Sequence, residues 1–182
     1  MFNLYIDADS LPKTHRAIVL KRLLKENDKI GTCIFAADRE LPDVKETMQN
    51  HTASLRSPYK ETLPKEELRK IKTNIQMIVV ATGANSADDK LVELAEVPGF
   101  AITHDIPLAA RLVEKGIVVL DDRGNEMTKE NVRERLSVRD FMTELRDYGF
   151  QSDKTKPFDN RTLNEFSNAF DRLMFRYISQ YS

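Results

Sequence analysis

Short apolar runs alternate with amphipathic stretches along most of this chain, and that alternation constrains the fold more than any other feature. Phe2-Asn3-Leu4-Tyr5-Ile6 reads as a strand ending in Asp7-Ala8-Asp9. Pro12 suits the first turn of a helix, and Ile18, Val19, Leu23 and Leu24 give it an apolar stripe to about Glu26. Lys29 to Phe35 is a second strand. Ile75 to Ala81 is a third, apolar at nearly every position as in a strand buried on both faces. Gly83-Ala84-Asn85 then turns into a helix over about Ala87 to Glu96. Phe100 to Thr103 is a short strand, Ile106 to Lys115 a helix closed by Gly116, and Ile117 to Leu120 another strand. The polar turn Asp121-Asp122-Arg123-Gly124-Asn125 follows, with helices near 128–135 and 137–148. Such alternation predicts an α/β fold: a mainly parallel central sheet, covered by helices on both faces in three layers, with right-handed crossovers.

Segment 38–74 is more polar and carries Pro42, Pro58 and Pro64. It reads as a helix at 42–49, a short strand near 52–56 and a helix at 64–72. Residues 1–150 are expected to form the domain, with 40–75 as a variable insertion. Residues 151–182 would be a polar linker and a terminal helix docked on that domain. Leu163, Phe166, Phe170, Leu173, Met174, Tyr177 and Ile178 recur at helical spacing, the pattern of a docking face.

The 182 residues suit one domain. No apolar run approaches the ~18 residues of a membrane span, and the first residues lack a basic leader pattern, so a cytoplasmic protein is expected. A lone Cys33 builds neither a disulfide within the chain nor a zinc cage. The net charge of −1 argues against a protein that coats nucleic acid or a membrane surface by charge alone. Two basic segments could still form a local groove: Lys13, Arg16, Lys21, Arg22, Lys25 and Lys29, then Lys60, Lys65, Arg69, Lys70 and Lys72. With acids interspersed, both read first as solvated helix faces.

Acids follow three of the strands: Asp7 with Asp9, Asp88 with Asp89, and Asp105. A parallel sheet would bring them to one edge, where such folds bind ligands. Each has a structural role open to it. Asp9 could cap the first helix, Ser86-Ala87-Asp88-Asp89 fits a capping box, and Asp105 before Ile106-Pro107 is a natural cap. Caps alone do not require convergence, however. Carboxylates ~5 Å apart repel by about 3 kcal/mol per pair at an effective dielectric near 20. A hard cation, Mg²⁺ or Mn²⁺, would relieve that repulsion. His15, His51 and His104 are too scattered to suggest zinc. Oxygen ligands at the mouth of an α/β sheet point to phosphoryl chemistry, with Asp7, Asp88 or Asp89, and Asp105 as ligands and Asp9 as a ligand or supporting base.

In order, Tyr5-Ile6-Asp7-Ala8-Asp9, Ala87-Asp88-Asp89, Thr103-His104-Asp105-Ile106-Pro107-Leu108-Ala109-Ala110 and Arg123-Gly124 resemble the YaiI/YqxD family of bacterial proteins. So do Leu136-Ser137-Val138-Arg139-Asp140, Pro157-Phe158 and Asn160-Arg161, leaving only about 40–75 outside the likeness. The resemblance implies a PIN-like (NYN-like) nuclease fold that cuts RNA with Mg²⁺ or Mn²⁺ held by Asp7, Asp88 or Asp89, and Asp105. Arg123 and Arg139 match family positions and could clamp a phosphate. The chain departs from the pattern at Ser10-Leu11-Pro12, where the family has Cys-Pro, at Asn85, where an acid is usual, and at Ala36-Ala37-Asp38, where an Asn ends the strand. Two other readings stay open. Asp-x-Asp after a strand also resembles the first motif of haloacid-dehalogenase phosphatases, with Asp7 as nucleophile and Asp9 as acid, although Leu11 replaces the expected Thr or Val. A module that binds RNA or protein without catalysis is the other.

Overall fold

A computed structural model of the chain describes residues 1–80, 86–148 and 159–181. Its centre is a six-stranded sheet in the order β3-β2-β1-β4-β5-β6. The strands are β1 (Phe2–Asp7), β2 (Ile30–Ala37), β3 (Ile75–Val79), β4 (Gly99–Ile102), β5 (Val118–Leu120) and β6 (Glu126–Met127). All neighbours pair in parallel except β5 and β6. Helices α1 (Lys13–Lys25), α2 (Pro42–Arg56) and α3 (Lys65–Lys70) belong to the first half. Helices α4 (Ser86–Leu94), α5 (Ile106–Glu114), α6 (Val132–Asp147) and α7 (Asn160–Tyr181) follow.

Side chains alternate across a strand, so β1 feeds two cores. Phe2, Leu4 and Ile6 join α1, α2 and α7 on one face, while Tyr5 joins α4 and α5 on the other. The result is the three-layer α/β sandwich expected from the alternation. The terminal helix is part of the first core. Phe166, Phe170, Leu173 and Met174 are fully buried, and the Tyr177 hydroxyl donates to the Gly99 carbonyl at 3.0 Å.

Chain direction across the sheet reverses between β1 and β4. From β1 the chain winds outward through β2 to β3. Then α4, packed on the opposite face, returns it to β4 beside β1. The carboxyl ends of β1 and β4 therefore border the crevice where α/β sheets bind ligands.

Several local expectations are corrected. Residues 52–56 continue α2 rather than forming a strand, since nothing in Thr52-Ala53-Ser54-Leu55-Arg56 breaks a helix already begun at Pro42. The two helices expected at 128–135 and 137–148 are one helix, α6, preceded by the short antiparallel strand β6. Arg139 thus lies mid-helix. Arg16, read as solvated, is buried. Its guanidinium donates to both Asp43 carboxylate oxygens at 2.9 and 3.2 Å and to the carbonyls of Ala8 and Leu11 at 3.3 and 2.7 Å. That clamp ties the loop after β1 to α2. Asp9 does not cap α1, which has no side-chain cap; its Oδ2 accepts from the Asp38 N–H instead. The expected turn at Gly83-Ala84-Asn85 lies outside the described residues, as do Pro157-Phe158, most of the 151–160 linker and the Ser86 side chain.

Candidate carboxylate site at the sheet edge

Asp7 is the last residue of β1 and is buried, a costly place for a carboxylate unless it is hydrogen-bonded. Thr103, just past β4, donates from its hydroxyl to Asp7 Oδ2 at 2.6 Å, and the Ser10 N–H reaches Oδ1 at 3.3 Å. The Thr103 hydroxyl also accepts the Asp105 N–H at 3.0 Å. One buried hydroxyl thereby links the two acids that end adjacent strands. The composition of the block 103–110 was legible, but this role of Thr103 was not, because a threonine at a strand end signals nothing without its neighbours.

Asp105 caps α5, its Oδ1 accepting the Leu108 N–H at 2.8 Å. Asp88 and Asp89 share the first turn of α4 but face different partners. Asp89 is exposed and pairs with Arg111 of α5 at 2.8 Å. Asp88 is partly buried and lies in the field of Asp7 and Asp105. Burial, then the charges of Asp7 and Asp105, push its carboxyl up to about 6, with Asp89 adding to the rise and Arg111 opposing it. Three separate chain segments therefore deliver negative charge to one place.

The remaining acid of the first motif goes elsewhere. Asp9 is exposed at the end of β2, with Asp38 and Arg39 as its partners, the latter at 3.7 Å. Burial, then the nearby Asp38 carboxylate, hold its carboxyl above the usual range against the Asp38 N–H bond. On the other flank of the site, the Asp121 carboxylate organises the turn after β5. Its Oδ1 accepts the N–H groups of Arg123 and Asn125 at 2.9 and 2.8 Å, and its Oδ2 lies 3.5 Å from Arg135. Gly124 completes that turn with a φ of +85° and no room for a Cβ, which would stand 2.8 Å from the Glu165 carbonyl. His104 donates from Nδ1 to the Ser10 carbonyl at 3.0 Å, and the Asp122 carboxylate raises its pKa against the effect of burial. These groups border an open cleft of about 360 Å³ lined by His104, Ile106, Asp121, Asp122, Arg123 and Arg135, among others. Arg139 lies outside it and pairs with Asp140 at 3.0 Å.

A family model described as "Uncharacterized BCR, YaiI/YqxD family" matches residues 40–176. The chain belongs to the YaiI/YqxD family. Segment 40–75, expected to fall outside the likeness, lies within the match. Relatives agree along nearly the whole length. A UPF0178 protein of Desulfotalea psychrophila is 36% identical over 173 residues, covering 95% of this chain and 97% of the relative. One from Pseudomonas fluorescens is 36% identical over 177 residues, covering 97% of each. One from Pseudomonas aeruginosa is 34% identical over 173 residues, covering 95% and 90%. No solved structure matches the chain. Among the described residues, no helix is long and apolar enough to cross a membrane.

The donors offered by Asp7, Asp88 and Asp105 are all carboxylate oxygens, the chemistry a hard divalent cation takes. Among the described residues, no three His, Cys, Asp or Glu side chains are already drawn close enough to hold one. The fit therefore lies in the donor type and in the repulsion registered at Asp88. That repulsion carries a prediction. Because the folded pKa of Asp88 is raised, its contribution to stability is greatest below its unfolded value near 4 and is lost as pH rises through about 6. Asp88→Asn is expected to stabilise the metal-free protein by about 1 kcal/mol near pH 7.5, after discounting for solvent screening, and not near pH 4. Thermal melts of both proteins at the two pH values check this; an equal effect at both would contradict the raised Asp88 carboxyl.

Proposed function

We propose that this YaiI/YqxD protein is a Mg²⁺- or Mn²⁺-dependent nuclease of PIN-like character that hydrolyses RNA phosphodiesters. The observation that carries the reading is the placement of Asp7, Asp88 and Asp105 around the point where the sheet reverses direction, where burial and then the charges of Asp7 and Asp105 raise the Asp88 carboxyl. Asp7, Asp88 and Asp105 would hold the cation, with Asp89 outside it on Arg111. When bound, such an ion lowers the pKa of water and offsets charge developing on a phosphate. The chain's own contribution is positioning. Thr103 fixes the Asp7 carboxylate, the α5 N-terminus fixes Asp105, and Arg16 secures the loop between β1 and α1. Asp88, with its carboxyl raised to about 6, is mostly ionised at neutral pH and would hold a cation as the carboxylate. Asp9 contributes at most from the rim, and its turn toward Asp38 weighs against a phosphatase that pairs Asp7 with Asp9.

The test is incubation of the purified protein with single-stranded RNA, with and without Mn²⁺, after removal of adventitious metal. Cleavage that requires the ion is expected. RNA left intact in the presence of Mn²⁺ would sink the reading and favour a module that binds without catalysis.

A further inference from the structure

We propose that one face of α6 is the track along which a single-stranded RNA backbone leaves the carboxylate edge, an inference that rests on the nuclease reading above. At 100° per residue, Arg135, Val138, Arg139, Met142 and Arg146 fall on one side of the helix. Arg135 and Arg139 stand about 6 Å apart along the axis, and Arg139 and Arg146 about 10 Å. Arg135, Val138 and Arg139 line an open cleft of about 460 Å³ whose facing wall includes Ile106, the residue after Asp105. The cleft bordered by the Asp121 turn shares Ile106 and Arg135 and adds His104 and Arg123, so the two form one surface. His104 and Ile106 flank Asp105 in sequence, and the surface runs out from them along α6.

The composition of this strip selects its occupant. Val138 is 55% exposed and Met142 40%, so apolar surface alternates with guanidinium groups, as phosphates alternate with bases along a strand. In the cleft along α6, Glu134 is outweighed by Arg135 and Arg139, while Asp121 and Asp122 in the joined cleft stand against Arg123 and Arg135, so the cationic stretch is the part along α6. The ion pairs of these arginines are exposed or long: Arg139 with Asp140 at 3.0 Å and Arg135 with Asp121 at 3.5 Å. A phosphate can compete with such pairs, because surface pairs contribute ~0–1 kcal/mol. A second copy of the same face would set arginines against arginines, which disfavours self-association there. The strip also answers an electrostatic need. An anionic strand is repelled by Asp7, Asp88 and Asp105, and cations one helix away hold it near them.

The experiment measures fluorescence anisotropy of a short labelled oligouridylate in metal-free buffer across a salt series. It compares the wild type, the triple variant Arg135→Ala/Arg139→Ala/Arg146→Ala and the corresponding triple Lys variant. The Ala triple is expected to bind on the order of tenfold more weakly and to lose about 2 from the slope of log affinity against log salt, at ~0.7 per contact for a single strand. The Lys triple, which keeps the charges, retains most of both. Should the Ala triple melt early, the single variants Arg139→Ala and Arg146→Ala decide, each taking about 0.7 from the slope. Wild-type affinity and slope in the Ala variants overturn the track, even where Mn²⁺-dependent cleavage stands. A change in sedimentation without a change in RNA binding also overturns it, making the face a protein contact. Arginine-dependent binding without cleavage by the Mn²⁺-loaded wild type supports the track and removes the nuclease reading instead.

Discussion

Asp105→Asn is expected to lower Mn²⁺ affinity and RNA cleavage by at least about 100-fold, beyond the ~10–100-fold typical of residues that only support a ligand, while the metal-free protein melts no earlier than the wild type. The separation is possible because Asp105 does two jobs with one side chain. Its Oδ1 caps α5 by accepting the Leu108 N–H at 2.8 Å. Asparagine caps a helix about as well as aspartate, so that bond survives the change. The negative charge does not survive, and it is one of the charges that raise Asp88. Losing it should also bring the Asp88 carboxyl down toward the ordinary range. Calorimetric titration of Mn²⁺, a cleavage assay and a thermal melt on the same preparation check the affinity, the activity and the stability. Wild-type metal affinity in the variant would make Asp105 a cap and nothing more.

Phe170→Ala is expected to cost about 3–5 kcal/mol, the range for emptying a buried aromatic site. Phe170 is fully buried and stacks with Phe166 at 6.0 Å between ring centroids. It also meets Phe100 of β4 edge-on at 6.2 Å. Tyr177 completes the same aromatic layer against Phe2 and Phe100 at 5.2 and 5.0 Å. A cavity here loosens α7 from β1 and β4, the two strands whose ends carry Asp7 and Asp105. Against a typical total of 5–15 kcal/mol, such a loss brings the chain near the edge of folding at moderate denaturant. Urea unfolding of the two proteins reads the difference directly. A loss below about 1 kcal/mol would mean that the helix docks without holding the core together.

What was legible in the sequence follows from periodicity. The apolar runs around Leu4, Phe35, Phe100 and Val119 are buried strands, and the stripe from Phe166 to Tyr177 is a docked helix. Each is a local pattern with a buried side. The failures are of another kind. The run from Ile75, read as a strand buried on both faces, is instead the edge strand β3, with Gln76 and Val79 exposed because no further strand pairs beyond it. The two-residue strand Glu126–Met127 is too short to show a period, and exists because the turn held by Asp121 folds it back on β5. Thr52 to Arg56 carries a sequence compatible with either state, and the helix begun at Pro42 simply continues. Arg16 resembles its solvated neighbours until Asp43 arrives from α2 to pair with it.

The candidate site divides in the same way. Sequence alone determined that acids follow three strands and that those strands lie parallel, with their carboxyl ends at one edge of the sheet. It also determined that Asp105 caps a helix, since the cap and its N–H partner are three residues apart. Which acids meet was decided by tertiary structure. Asp7 and Asp9 are two residues apart, yet the first ends β1 beside Thr103 while the second lies beyond the strand and turns to Asp38. Asp88 and Asp89 are adjacent, yet the first is partly buried in the field of Asp7 and Asp105 while the second is exposed and pairs with Arg111. Spacing along a chain sets which face a side chain takes, but its partners depend on where the other strands and helices pack.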